Sequence, residues 1–153
     1  MIANNKIYLC SDETVTFDPY YRYRIDMPQY EIKTKKGAHV TYFKNSESFA
    51  KSIETDHNLL TKIIGNELSC KSEIDKEHGC ATFKGLYDIT KINNIILELI
   101  QKYLLCQSCD KPEIVLYKKK GKLRQKCKAC GEKHYISEKF ESTNMYEYIY
   151  KHL

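Results

Sequence analysis

The chain reads as an α+β domain, an antiparallel sheet with helices on one face, followed by a C-terminal β-ribbon closed on a metal ion. Three observations predict this. Periodic segments through residue 104 run strand, helix, helix, strand, strand, helix, an order that suits a sheet with its helices on one side. Residues 88–104, DITKINNIILELIQKYL, carry the clearest helical stripe. Beyond them stand two C-x2-C pairs, CQSC at 106–109 and CKAC at 127–130, separated by seventeen residues.

HVTYFKN (39–45) alternates as a strand. SESFAKSI (46–53) and DHNLLTKII (56–64) have helical patterning, and Gly65 is placed to end the second. KSEID and CATFKGL flank KEHG, a turn between paired strands. In 88–104, Ile92, Ile95, Ile96, Leu99, Ile100 and Tyr103 fall at the i, i+3, i+4, i+7, i+8, i+11 positions of one helix face, with Asp88 or Thr90 as its cap. That stripe is core. The helix runs straight into Cys106 and so is expected to fix the ribbon to the body. NMYEYIYKHL at the end of the sequence predicts a short helix packing back on the body. The expected organisation is a tail over 1–17, an α/β core over 18–104, a ribbon over 105–136 and a tail or short helix over 137–153.

The cysteine spacing fits a structural zinc site. Each pair forms a knuckle whose thiolates converge on one ion, with Cys106, Cys109, Cys127 and Cys130 as ligands. Lys111-Pro112 and Gly131 supply turns after the knuckles. EIVLYKK and KLRQK around KKGK form a hairpin with the metal at its base. Some thirty residues bury too little surface to fold alone. Metal binding, worth about 10–16 kcal/mol in zinc-finger peptides, supplies the missing stabilisation. Four protein ligands leave no open coordination position, so the zinc is expected to be structural. His134 is read as a surface histidine, and Cys10, Cys70 and Cys80 as free thiols.

Between 106 and 134 there are nine cationic residues against three acidic ones, a surplus of six in a chain whose net charge is +5. Four thiolates around a divalent ion reduce that local surplus by two, and the rest of the chain is near neutral. The positive charge therefore sits on the hairpin: Lys118, Lys119, Lys120, Lys122, Arg124, Lys126 and Lys128 are the expected contacts to RNA or ribosome. The start, MIANNKIYLCS, lacks the charged and apolar regions of a signal peptide, and IILELI (95–100) is too short for a bilayer and contains Glu98. A cytoplasmic chain in a reducing compartment, a monomer with no membrane partner, is expected. With 22 Lys against 3 Arg, the composition suits an AT-rich genome, such as some protists and large DNA viruses have.

DPYYRY (18–23), MPQ (27–29), GNEL (65–68), ATFKG (81–85) and the run YLLCQSC to CKACG occur in one order. That order resembles the amino-terminal domain of eukaryotic translation initiation factor 5 and its relative, the β subunit of initiation factor 2, including the archaeal form. The resemblance covers residues 17–136. It implies an initiation factor 1-like α/β domain followed by a zinc ribbon. DPYYRYRI is similar to the factor 5 amino terminus, where an arginine within YRY helps the γ subunit of initiation factor 2 hydrolyse GTP; the matching residue is Arg22. Lys62, in TKIIGNEL, matches a lysine linked to the same activity. Another basic position of factor 5 falls at His39, and two residues, about Ile25-Asp26, are extra. TYFKN and TFKGLYDITKINNIILELIQKYLLC look nearer to the β subunit.

The resemblance implies a translation initiation factor at the small ribosomal subunit and its RNA, supporting start-codon selection. It would stimulate GTP hydrolysis by initiation factor 2, with its γ subunit and initiator tRNA as partners, through Arg22. The alternative is a non-catalytic β-subunit-like module that binds ribosome or GTPase and mimics or competes with host factors. A transcription-type zinc ribbon on an unrelated body is the third reading, against which the ordered non-cysteine motifs argue. The chain itself is expected not to be an enzyme, since it has no P-loop. Factor 5 proper continues into a helical-repeat domain, and the β subunit carries lysine blocks and a γ-binding helix; the sequence has neither and reads as a minimal form.

Overall fold

The computed structural model describes residues 2–3, 5–12, 14, 18 and 20–153. In chain order the strands and helices are β1 (Ile2–Ala3), β2 (Lys6–Tyr8), β3 (Arg24–Asp26), β4 (Tyr30–Lys35), β5 (Ala38–Phe43), α1 (Ser46–Ser52), α2 (His57–Glu67), β6 (Ser72–Ile74), β7 (Ala81–Lys84), α3 (Ile89–Leu99), β8 (Ile114–Lys119), β9 (Lys122–Cys127), β10 (Lys133–Tyr135) and α4 (Asn144–His152). The architecture is mixed α+β, and every strand pairing among the described residues is antiparallel. The chain divides into two compact units, residues 28–96 and residues 1–27 with 97–153.

The unit of residues 28–96 holds a four-stranded sheet in the order β4-β5-β7-β6. β4 and β5 form a hairpin in register from Tyr30 opposite Phe43 to Lys35 opposite Ala38. Its two turn residues, Lys36 and Gly37, have φ of 51° and 79°. Positive φ at both positions makes a type I′ turn, whose twist matches that of the strands. The aromatic rings of Tyr30, Phe43 and Phe49 pack in series at 5.2 and 5.5 Å. Phe43, Phe83, Leu60, Ile64, Ile92 and Ile96 have no exposed surface. Asp56 caps α2, accepting from Leu59 N at 3.0 Å. The buried Ser46 accepts from Ala81 N at 2.8 Å and bonds His57 Nε2 at 2.8 Å, so one hydroxyl ties α1, α2 and β7 together.

Gly65 does not end α2, which continues to Glu67. A Cβ at Gly65 would lie 2.2 Å from Ser72 Oγ. The residue is glycine because α2 runs against β6 there, and the helix stops only at Leu68 and the left-handed Ser69, φ 53°. The long helix also differs from expectation. Asp88 is its cap, accepting from Thr90 N at 2.9 Å, and the stripe from Ile92 to Tyr103 is buried throughout. Its last five residues, Ile100–Leu104, form a wider π turn.

In the other unit, β1, β2 and β3 form a small sheet in that order, and β10, β9 and β8 form the ribbon sheet. Lys6–Tyr8, expected within a tail, pair with Arg24–Asp26. β8 and β9 turn on Lys120 and Gly121, with φ of 52° and 74°. The expected C-terminal helix forms as α4. Thr143 caps it by accepting from Tyr146 N at 3.2 Å, and it buries Met145, Tyr146 and Ile149. The Tyr146 hydroxyl accepts from Leu123 N of β9 at 2.9 Å.

Candidate metal centre and the surfaces built on it

Cys106 follows the π turn, Cys109 closes the first knuckle, Cys127 ends β9 and Cys130 lies in the turn before β10. The two knuckles have the same backbone wiring. Asp110 N donates to Cys106 O at 3.0 Å and Gly131 N to Cys127 O at 2.9 Å. Cys106 N then donates to Lys111 O at 3.0 Å and Cys127 N to Glu132 O at 2.9 Å. The residue after each second cysteine is left-handed: Asp110 at φ 59° and Gly131 at 79°. This curl is what turns both thiols of a pair to the same side.

The four Sγ atoms lie within 4.8 Å of one another. Cys106 and Cys130 are 3.7 Å apart, and Cys109 and Cys127 are 3.6 Å apart. A tetrahedral ion with metal–sulfur bonds of about 2.3 Å requires sulfur–sulfur edges of about 3.8 Å. The donor set and its spacing therefore fit one tetrathiolate ion, and zinc is compatible with both. Ser108 N donates to Cys106 Sγ at 3.4 Å. Burial raises the Cys127 thiol, but amide donors from Cys130 and Ala129 outweigh it and hold the group below its ordinary range. Cys106 and Cys127 are buried with Ile114, against which Leu116 and Cys109 pack.

Gln125 holds the first knuckle to β9. It is fully buried, its Oε1 accepts from Gln107 N at 3.1 Å, and its Nε2 donates to Leu105 O at 3.2 Å. Sequence reasoning missed it. The available signal was its place between Leu123 and Cys127 on the inward positions of one strand. His134 is half-buried, with Nε2 2.7 Å from Ser108 Oγ, and is outside the four-thiol cluster. Cys10, Cys70 and Cys80 are free thiols, also outside it.

The seven cations of the hairpin divide between different settings. Lys118 shares the inward side of β8 and lies 5.1 Å from the Tyr150 ring. Lys119 and Lys122 face each other on the outward side, and Lys120 is in the turn. Lys122 pairs with Glu138 at 3.4 Å and Glu141 at 3.2 Å. Arg124 lies 4.7 Å over the Tyr135 ring. Lys126 and Lys128 are exposed.

Arg22 sits, exposed, on a turn between two anchored tyrosines. The Tyr21 hydroxyl donates to Leu9 O at 3.0 Å, and its ring stacks on Tyr8 at 6.2 Å. Burial pushes the Tyr21 phenol up to about 12. The Tyr23 hydroxyl donates to Glu113 Oε1, which raises that phenol as well. The Arg22 guanidinium lies 5.5 Å from the Tyr23 ring. Asp110, next to a metal-binding cysteine, accepts from Ser11 N at 2.8 Å and Ser11 Oγ at 2.7 Å. The segment bearing Arg22 is thus bonded to the first knuckle and the base of β8, through residues that the sequence did not single out. Lys62 belongs to the unit of residues 28–96, where its ammonium donates to Ser72 O.

The comparisons agree with the order of motifs. The family model described as a domain found in initiation factors 2B and 5 matches residues 13–133. Eukaryotic translation initiation factor 5 of Caenorhabditis elegans is 32% identical over 114 residues, 74% of this chain and 26% of that protein. The factor 5 of Dictyostelium discoideum is 29% identical over 127 residues, 83% of this chain and 32% of that protein. The chain therefore spans about a third or less of these longer relatives. Translation initiation factor 2 subunit beta of Haloarcula marismortui is 29% identical over 115 residues, 75% of this chain and 84% of that protein. With the matching domain covering most of its length and a four-thiol cluster of the expected spacing, this chain belongs to the initiation factor 5/initiation factor 2 β-subunit family.

Proposed function

We propose that the chain is a translation initiation factor that acts at the small ribosomal subunit in start-codon selection and stimulates GTP hydrolysis by initiation factor 2 through Arg22. The observation that carries the second part is the exposed guanidinium on a turn anchored by Tyr21 and Tyr23. A cation so presented can enter a partner's nucleotide site and neutralise charge on the transferring phosphoryl group. The chain is not itself the GTPase. Lys62 supports the same activity. The γ subunit with its initiator tRNA and the subunit's RNA are the partners, and the cytoplasm is the setting. No helix among the described residues is long and apolar enough to cross a membrane.

One structural zinc, held by Cys106, Cys109, Cys127 and Cys130, fixes the ribbon. Residues 28–96 are the centre of the initiation factor 1-like body. The exposed cations of the hairpin meet RNA. A second reading, a β-subunit-like module that binds without activating, is favoured by length: the alignment spans 84% of the archaeal subunit.

A GTP-hydrolysis assay on preassembled initiation complexes decides between the two. An arginine finger acts on the transition state, so Arg22→Ala slows hydrolysis and leaves binding nearly unchanged. Known fingers are worth about 10³–10⁵ in rate, and a smaller effect is expected here because His39 and the extra residues near Ile25 depart from factor 5. Arg22→Lys fails almost as badly, because a point charge does not reproduce the planar fork. Parent-like hydrolysis by both variants would put the binding-only reading first.

A further inference from the structure

The ribbon sheet has two unlike sides. On β9, Leu123, Gln125 and Cys127 point to the packed side and are fully buried. The residues between them point the other way. Residues opposite one another in antiparallel strands share a side. The register therefore sets Tyr117, Arg124 and Tyr135 in one row, one residue from each strand, and Val115, Lys126 and Lys133 in the next. Val115 is 48% and Tyr135 41% exposed. Lys119 extends the same side toward the turn.

The geometry points to this outward side as a binding platform for single-stranded RNA, with bases stacked on the Tyr117–Arg124–Tyr135 row and phosphates met by Lys119, Lys126 and Lys133. Two features select that occupant. The first is π surface. Tyr rings stand on the two strands that flank β9, and the Arg124 guanidinium already lies 4.7 Å over the Tyr135 ring. Bases of unpaired RNA stack on aromatic rings and on guanidinium planes, whereas a duplex hides those base faces. The second is charge. Lys119, Lys126 and Lys133 are exposed and make no ion pair among the described residues, while Lys122 is held by Glu138 and Glu141. Three available ammonium groups around an aromatic row match a phosphodiester strand. An acidic peptide would use the lysines and leave the rings without a partner.

The proposal rests on the RNA-contact reading above and names the form of RNA and the side of the ribbon that takes it. It also assigns the rings Tyr117 and Tyr135 a part in binding that charge alone would not give them.

Fluorescence anisotropy with the full, zinc-loaded chain tests it. The probes are a labelled, unstructured RNA of about ten nucleotides and the same strand annealed to its complement. The single strand is expected to bind more tightly than the duplex. Tyr135→Ala and Tyr117→Ala each weaken binding about tenfold without changing its salt dependence, since stacking releases no counterions. Tyr135→Phe keeps the parent affinity. Lys126→Ala weakens binding and lowers the salt slope by about 0.7. Metal content equal to the parent's shows that each variant's ribbon is intact. Equal affinity for duplex and single strand would overturn the platform. So would parent-like binding by both alanine variants, or full displacement of the RNA by polyglutamate with no dependence on the rings. Pelleting with small ribosomal subunits runs in parallel. A parent chain that fails to pellet counts against the initiation reading, whereas one that pellets but binds RNA independently of the rings sinks only the platform.

Discussion

The hairpins β4–β5 and β8–β9 turn on the same dipeptide. Lys36-Gly37 and Lys120-Gly121 have nearly equal positive φ angles, and both are preceded by lysine. What lies behind the two hairpins differs. Behind the first is an apolar core of Phe43, Phe49, Phe83 and the helix residues Leu60, Ile64 and Ile92. Behind the second are Ile114, Leu116 and four thiols. The turn sets strand direction in both cases, but it does not supply stability. One hairpin is stabilised by burial, the other by the ion its cysteines can hold.

The largest expected effect separates them. Cys127→Ser, or removal of the metal by a chelator, should abolish protection of the ribbon, because binding energy of about 10–16 kcal/mol is folding energy for such a module. Amide exchange on the full chain should show residues 105–136 open and residues 28–96 still protected. Equal loss in both regions would break the comparison.

The converse substitution comes next. Phe83 is fully buried in the sheet of residues 28–96, so Phe83→Ala should cost about 3–5 kcal/mol in denaturant unfolding. The metal stoichiometry of the folded chain should be unchanged. A smaller cost is expected from Gly65→Ala. Its methyl would meet Ser72 at van der Waals overlap, and forcing α2 from β6 costs about 1–3 kcal/mol. A neutral or stabilising result would mean that α2 does not approach β6 as closely as described.

The smallest effect concerns the lysines. Lys120→Ala should lower the salt dependence of RNA binding more than Lys122→Ala, because Lys122 already answers Glu138 and Glu141. Equal changes would mean that those ion pairs open when RNA binds.

The features legible in the sequence are those set by local pattern. The stripe from Ile92 to Tyr103, the Asp56 cap of α2, the paired strands around KEHG and the cysteine knuckles all depend on residues close in sequence. The features it hid depend on distant partners. β4 is an edge strand with none of its six residues fully buried, so it shows no clear inward and outward alternation. β2 and β3 are three residues each and exist only through pairing between segments sixteen apart, Tyr8 opposite Arg24. Gly65 carried a stop signal locally but serves a close approach to Ser72. The same holds at the site. The four ligands could be read from spacing, whereas Asp110 and Glu113 became visible only when the chain brought Ser11 and Tyr23 to them.

The central claim is that a metal-folded ribbon and its attached arginine segment belong to a factor that works on the small ribosomal subunit. Sucrose-gradient sedimentation with purified small subunits, run on the native chain and on the same chain after metal removal, tests it most directly. The account predicts that the native chain travels with the subunit and that the metal-depleted chain, its ribbon open but its residues 28–96 intact, mostly stays at the top of the gradient. A native chain that never leaves the top, or a depleted chain that binds as well as the native one, would contradict it.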